Sequence, residues 1–89
     1  MKESFLEKAA RRLEMPTDIV AGLPRLEIKG CRELYIENHR GILLYESGEM
    51  HINGGQAVIK LKGEGFIIKA MNASELRIEG LLFSIEFEY

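Results

Sequence analysis

"IKLKGEGFII", residues 59–68, shows the pattern that recurs through most of this 89-residue sequence. Ile59 and Leu61 alternate with lysines, and after a Gly-Glu-Gly group Phe66 and Ile68 follow with the same spacing. Successive side chains of a β-strand point to opposite faces, so apolar residues two apart predict a strand with one buried face. Glycines around a polar residue are typical of a turn. The stretch therefore predicts two short strands joined by a glycine turn.

The same apolar alternation occurs eight times between residues 25 and 89. Glycine, asparagine and serine cluster between the apolar pairs, which is the chemistry of turns. We therefore predict a mainly β fold of about eight short strands. The pairs are Leu26/Ile28, Leu34/Ile36, Ile42/Leu44, Met50/Ile52, Ile59/Leu61, Phe66/Ile68, Leu76/Ile78 and Phe83/Ile85.

These pairs repeat with a period of 16 or 17 residues, since alternate pairs begin at positions 26, 42, 59 and 76. Two architectures satisfy such a period. One is an antiparallel meander of hairpins that closes into a sandwich or an open barrel. The other is a short β-solenoid with parallel rungs of about 17 residues. We favour the meander, because short glycine-bearing connections suit hairpins, and the solenoid stays open as the alternative.

The beginning of the chain has a different pattern. Residues 1–15 predict an amphipathic helix, in which Ser4 and Glu7 form a capping box ahead of an apolar stripe. A connector over residues 16–24 follows, and residues 25–89 form the β domain. A chain of this length has room for one hydrophobic core, so we predict a single domain.

Composition and charge exclude several classes of function. Twelve Lys and Arg residues against 14 Asp and Glu residues give a net charge of −2, which offers no general attraction to nucleic acid. No signal pattern opens the chain, and no segment reaches the roughly 20 apolar residues of a membrane span. We therefore expect a cytoplasmic protein without a direct membrane span. Cys31 is the single cysteine, so no intramolecular disulfide forms.

The polar tetrapeptide Asn-His-Arg-Gly, residues 38–41, lies between two apolar, β-prone runs. It is predicted to be the tip of a hairpin. Asn38 and Gly41 would shape the turn, because Asn tolerates local hydrogen bonding and Gly tolerates a positive φ. His39 and Arg40 would then project outward as contacts for a partner. A hairpin tip neither buries a general base nor orients it, so catalysis is not expected here.

Other features of the sequence also argue against an enzyme. Two histidines and one cysteine without HxH or CxxC spacing give little support for a metal site. The glycine groups lie between predicted strands and not before a helix, which excludes a phosphate loop. We expect no catalytic residue, no metal and no cofactor. Tyr35 and Tyr45 interrupt the polar strand face, and exposed aromatic residues on neighbouring strands mark contact surfaces, so both are candidate partner contacts.

Three segments carry a family resemblance: "EMPTDIVAGLPRLEIKG" (14–30), "IENHRGIL" (36–43) and "LRIEG" (76–80). In these segments the chain resembles the YabP/YqfC family of small sporulation proteins from endospore-forming bacteria, and its YqfC-type members in particular. The resemblance implies a protein made in the mother cell that takes part in assembly of the spore envelope, including the cortex. It also implies a membrane-bound partner at the forespore surface. It implies no catalytic or ligand-binding residue.

Two functions from different classes follow. The first is a non-catalytic protein-interaction module of sporulation, located on the mother-cell side of the forespore membrane and acting with an integral membrane protein. The alternative is a self-assembling β-structured scaffold, whose partner is a further copy of the same chain.

Overall fold

The structure of the protein is a computed structural model that describes residues 23–89. Six β-strands and no helix occupy this part of the chain, so none of its elements is a helix that could cross a membrane. The predicted helix (1–15) and residues 16–22 of the predicted connector lie outside the described residues. The strands are β1 (Arg25–Lys29), β2 (Glu33–Glu37), β3 (Ile42–Tyr45), β4 (Glu49–Asn53), β5 (Val58–Met71) and β6 (Glu75–Glu88).

The six strands form one sheet in the order β1-β2-β6-β5-β4-β3. Every neighbouring pair is antiparallel. The mainly β class and the antiparallel pairing are therefore confirmed, and a solenoid of parallel rungs is wrong for residues 23–89. The strands β2 and β3 follow one another in the sequence, yet three other strands separate them in the sheet.

Six strands are present where the alternation predicts about eight, because two of the predicted turns are bends within continuous strands. β5 and β6 are 14 residues long, and their register shifts beside the glycines of both strands. Gly65 and Gly80 have positive φ values of 65° and 149°. A Cβ atom at Gly63 would lie 1.9 Å from the carbonyl oxygen of Leu81, so no side chain fits where the two strands approach. The glycines bend the long hairpin without ending it.

The connection between β2 and β3 requires the sheet to fold over on itself. Across the paired strands, residue 36 of β2 lines up with residue 71 of β5, and residue 42 of β3 lines up with residue 59 of β5. In a flat sheet these two rows would be about 40 Å apart along β5, at roughly 3.3 Å per residue. The six residues from 37 to 42 span at most about 22 Å. The ends of the long hairpin must therefore approach one another.

The fold thus has two halves. The first half consists of β1, β2, the beginning of β6 (75–79) and the end of β5 (67–71). The second half consists of β3, β4, the beginning of β5 (58–64) and the end of β6 (81–88). The turn of each short hairpin is also bonded to a bend of the long β5–β6 hairpin. The amide of Gly80 donates to the carbonyl of Arg32, between β1 and β2, at 3.0 Å, and the amide of Gly63 donates to the carbonyl of Gly48, between β3 and β4, at 3.0 Å.

Most of the core consists of four cross-strand rows, two in each half, and the buried Phe66 at the bend of β5 completes it. In every row the two central side chains are at most 3% exposed, whereas the outer ones are half-buried or exposed. Both faces of a single flat sheet would meet water, so the burial of these central residues shows that the halves cover one another. The rows are Ile28-Leu34-Ile78-Ile68 and Leu26-Ile36-Leu76-Met71 in the first half, and Ile42-Ile52-Ile59-Phe87 and Tyr45-Met50-Leu61-Ile85 in the second.

Candidate protein-interaction surface

Residues 38–41 connect β2 to β3 across one end of the folded sheet. Their first two amides donate to the carbonyl of Ser74, in the turn between β5 and β6, at 2.6 and 3.3 Å. Their last two residues exchange hydrogen bonds of 2.7 and 2.9 Å with Asn53 at the end of β4. The prediction of a hairpin tip is therefore wrong, because β2 and β3 are not paired. We call residues 38–41 the crossing segment.

His39 is the buried centre of the crossing segment, with 4% of its surface exposed. Its Nδ1 accepts a hydrogen bond from the amide of Gly41 at 3.0 Å, so this nitrogen carries no proton. The proton is then on Nε2, which lies 3.0 Å from the carbonyl oxygen of Asn72 and 3.2 Å from that of Glu75. The expectation that His39 projects outward is wrong. The ring instead connects the crossing segment to the turn between β5 and β6.

The other three residues of the crossing segment surround this ring. Gly41 has the positive φ expected of it, 112°, and Asn38 has a φ of 64°. The Asn38 side chain donates from Nδ2 to the carbonyl of Leu23 at 3.2 Å, and not to its own backbone. Arg40 is exposed and extends over Gly55, where an added Cβ atom would lie 3.1 Å from its Nε. Of the predicted outward pair, Arg40 alone is at the surface.

Tyr35 lies on the outer face of the first half, between Glu27 of β1 and Arg77 of β6 in one cross-strand row. Its hydroxyl donates a hydrogen bond to the carboxylate of Glu75, which lies 40 residues further along the chain. This bond to an anion is the main reason that the pKa of Tyr35 rises to about 12. The same bond lowers the pKa of Glu75. At neutral pH the pair is therefore a protonated phenol bound to an ionised carboxylate.

A charge pair lies beside this tyrosine. An Arg77 guanidinium nitrogen is 2.7 Å from a Glu33 carboxylate oxygen. The hydrogen bond and the positive charge lower the pKa of Glu33, and the carboxylate raises the pKa of Arg77. We name Tyr35, Glu75, Arg77 and Glu33 together the tyrosine face.

Two shallow depressions flank the tyrosine face, and both share Tyr35 and Arg77. The larger, of about 320 Å³, lies toward β1, where Glu27 and Lys29 line it. The smaller, of about 160 Å³, lies toward the end of β5, where Met71 lines it with half of its side chain exposed. The face therefore presents an aromatic ring, both signs of charge and an apolar rim. Tyrosine, arginine and methionine are all enriched at surfaces that bind other proteins.

Tyr45 lies elsewhere, so the structure does not bring the two candidate tyrosines together. It is the last residue of an inner row of the second half, and it is 48% exposed. Its hydroxyl donates to the carbonyl oxygen of Phe66 at 3.0 Å, beside the bend of β5. The ring covers the end of the core at the β3 edge.

The outer face of the second half carries two hydrogen-bonded pairs of polar side chains. Nε2 of His51 is 2.6 Å from a carboxylate oxygen of Glu49, and the Lys60 ammonium pairs with the carboxylate of Glu88. Within residues 23–89, no three His, Cys, Asp or Glu side chains form a group that could hold a metal ion.

Comparison with known proteins supports the family resemblance of the sequence. The model of the YabP family matches residues 22–89, which is more than half of the chain and includes every described strand. The chain belongs to the YabP family. It is also 36% identical over 77 residues to a Bacillus subtilis (strain 168) protein named "Uncharacterized protein YqfC", covering 86% of this chain and 83% of that one. No solved structure matches.

Membership of the YabP family was predictable from the local segments, whereas two members of the tyrosine face were not. Glu75 and Arg77 stand in a generic alternating strand, and nothing in their neighbourhood distinguishes them from other outward charges. They reach Tyr35 because β2 pairs with β6, a partnership between strands far apart in the sequence. The outward position of Tyr35 in its own strand was the one available signal.

Proposed function

We propose that the protein is a non-catalytic interaction module in sporulation, which binds a membrane-bound partner during assembly of the spore envelope and cortex. The tyrosine face is the observation that carries this proposal. Membership of the YabP family supports a role in sporulation, since the sequence resembles the sporulation proteins of that family. The partner would be an integral membrane protein on the mother-cell side of the forespore membrane.

The tyrosine face suits recognition because its polar groups are fixed before any partner binds. The hydroxyl of Tyr35 and the guanidinium of Arg77 are each held by a carboxylate on a neighbouring strand. Groups that are already oriented lose little conformational entropy on binding, and tyrosine and arginine are the residues that most often dominate binding energy at protein interfaces. The partner surface would therefore offer an apolar group to the ring and a hydrogen-bond acceptor to the remaining N–H groups of Arg77.

The test replaces Arg77 with Glu in a sporulating host and follows both spore yield and the position of a fluorescent fusion. The substitution removes the N–H donors of Arg77 and adds a third carboxylate to the face, so we expect the fusion to leave the forespore membrane and cortex assembly to fail. Lys62→Glu, an exposed substitution on the outer face of the second half, is the matched control and should leave both unchanged. Normal spores and normal location for a stably accumulated Arg77→Glu protein would refute the proposal.

A self-assembling scaffold is the second candidate, and the open edges of the sheet favour it. Backbone groups along β1 and β3 have no strand neighbour on one side among residues 23–89. Unpaired strand edges are templates for a further strand, and here the charges of β1 and the register shift of β3 weaken those templates. Light scattering of the purified chain separates the candidates, because a scaffold keeps growing with concentration while a module stops at a defined size.

A further inference from the structure

The folded sheet has four edges, and three of them have features that discourage pairing. β1 is five residues long and carries charges at alternate positions, and β3 is four residues long with a register shift between Ile42 and Leu44. The end of β5 has two register shifts and a lysine, Lys69, at the second. Short strands, bulges and lysines are the devices by which natural sheets avoid edge-to-edge association.

The fourth edge, at the end of β6, lacks these devices. Its register with β5 is continuous from Ser84 to Glu88, and residues 81–89 contain neither proline nor any basic residue. The amide of Leu82 donates to the Cys31 carbonyl at 2.9 Å. Beyond this bond, residues 83–88 pair on one side only within the described part of the chain. We call residues 83–88 the free edge.

Large apolar side chains lie along the free edge. Phe83 is 61% exposed and Phe87 is 49% exposed, while Ile85 between them is half-buried against the core. The carboxylates of Glu86 and Glu88 point to the outer face, where Lys60 lies opposite Glu86 and pairs with Glu88. Lys60 thus compensates Glu88 by an ion pair and lies opposite Glu86, and both carboxylates lie on the face away from the apolar residues.

We propose that the free edge pairs antiparallel with the same edge of a second copy, across a two-fold axis at Ile85. This register places Ile85 opposite itself and each Phe83 opposite Phe87 of the second copy. Directly opposed aromatic residues are among the favourable cross-strand pairs. Two second halves, of four strands each, would then form one continuous eight-stranded sheet.

The charges of the outer face select this register over its neighbours. With the axis at Ile85, each Glu86 faces Ser84 of the second copy, and no two acidic residues are directly opposite. An axis at Glu86 would place Glu86 opposite itself, and directly opposed like charges are destabilising. An axis at Ser84 would require pairing at Leu82, whose amide is already bonded to Cys31. A two-fold pairing also closes on itself, so the assembly stops at two copies.

The first experiment is light scattering of the full chain over a concentration series. We expect the mass to rise from that of one 10.1 kDa chain to twice this value and to stop there. Phe83→Lys removes two aromatic contacts from the dimer and should raise its dissociation constant by about tenfold or more. The matched control is Ile67→Lys, on the outer face of the first half at a residue 57% exposed, and it should leave the dissociation constant unchanged.

A second experiment tests the register without weakening the fold. In a Cys31→Ser background, protein with Phe83→Cys is mixed with protein with Phe87→Cys and then oxidised. The two-fold register predicts that mixed cross-linked dimers exceed those of either variant alone. Equal cross-linking in all three samples would contradict it.

Three results would overturn the proposal: a monomer at all concentrations, growth beyond two copies, or an unchanged dissociation constant in Phe83→Lys. Hydrogen exchange identifies the cause if the protein is monomeric. Among residues 84–88 the alternate amides that do not donate to β5 are the informative ones, and their protection in a monomer would mean that another segment of the same chain covers the free edge. The dimer and the proposed function can fail separately, since the tyrosine face lies on the other half of the sheet.

Discussion

Two parts of the molecule hold its halves together, and they do so by opposite means. The bend in the long β5–β6 hairpin depends on missing side chains, since a Cβ at Gly63 would lie 1.9 Å from a carbonyl oxygen of β6. The crossing segment depends on one side chain, His39, whose ring bonds to three backbone groups. The bend lets the strands approach, whereas the crossing segment fixes where the ends of the folded sheet meet.

This difference shows that a residue without a side chain and a residue with a large polar ring can both be necessary to bring the halves of the sheet together. Gly63 of the bend is replaceable only by rearranging two backbones that already touch. The histidine is replaceable only by a group that can accept one amide proton and donate to two carbonyls at once. Substitutions at the two sites should therefore fail for different reasons, which the following measurements separate.

Gly63→Ala should have the largest effect. Its Cβ atom would overlap the backbone of Leu81, and a backbone atom in a paired strand cannot move aside as a flexible side chain would. We expect a loss of at least about 3 kcal/mol in the free energy of unfolding, measured with urea. Gly65→Ala is the matched control, because nothing lies within 4 Å of its Cβ position. It should lose only the conformational cost of a positive φ, about 1–2 kcal/mol. Equal losses would contradict a steric origin.

His39→Ala should follow, with a loss of about 2–3 kcal/mol. The substitution leaves a buried amide and two carbonyl groups without their hydrogen-bond partner, and unsatisfied buried groups are costly. Arg40→Ala, the exposed neighbour, should change the free energy of unfolding by no more than about 0.5 kcal/mol. A comparison of the two single variants by thermal or urea unfolding tests the claim. Similar small effects at both positions would place the His39 ring at the surface.

Gly41→Val should cost less, about 1–2 kcal/mol. The position has a φ of 112°, which a β-branched residue resists, yet no atom lies within 4 Å of the Cβ position. The loss is then one of backbone conformation alone. A much larger loss in the free energy of unfolding, measured with urea, would indicate a steric clash. Gly41 would then be restricted for the same reason as Gly63 in the bend.

The smallest effect is expected at the tyrosine face, which lies away from both joints. The bond from Tyr35 lowers the pKa of Glu75 in the folded protein, so its contribution is present above the ordinary Glu value of 4.5 and disappears as the pH falls through the lowered pKa. The pKa of Tyr35 is raised in the folded protein, so its contribution to stability is complete below the ordinary Tyr value of 10.0. This contribution is lost as the pH rises toward about 12. Tyr35→Phe should therefore differ from wild type most at neutral pH. A difference in unfolding free energy that does not change with pH would contradict the hydrogen bond.

Local alternation predicted the strand-forming residues well, because the faces of a strand are set by the chain itself. It could not distinguish a turn at residues 63–65 from a bend. A glycine group permits both, and the choice depends on whether β6 continues alongside. The burial of His39 was likewise beyond local reasoning, since its two carbonyl partners lie 33 and 36 residues away. Strand order decides both features, and strand order is a property of the whole sheet.

The most direct test of this fold is a nuclear Overhauser spectrum of the isotopically labelled full chain, because it reports which residues lie close to the crossing segment. If the sheet is folded as described, we expect cross-peaks from the His39 ring to the backbone of Asn72 and Glu75, and from the Arg40 amide to Asn53. A hairpin through residues 38–41 would instead give cross-strand peaks between Glu37 and Ile42. Observation of the first set establishes the folded sheet, and observation of the second would contradict it.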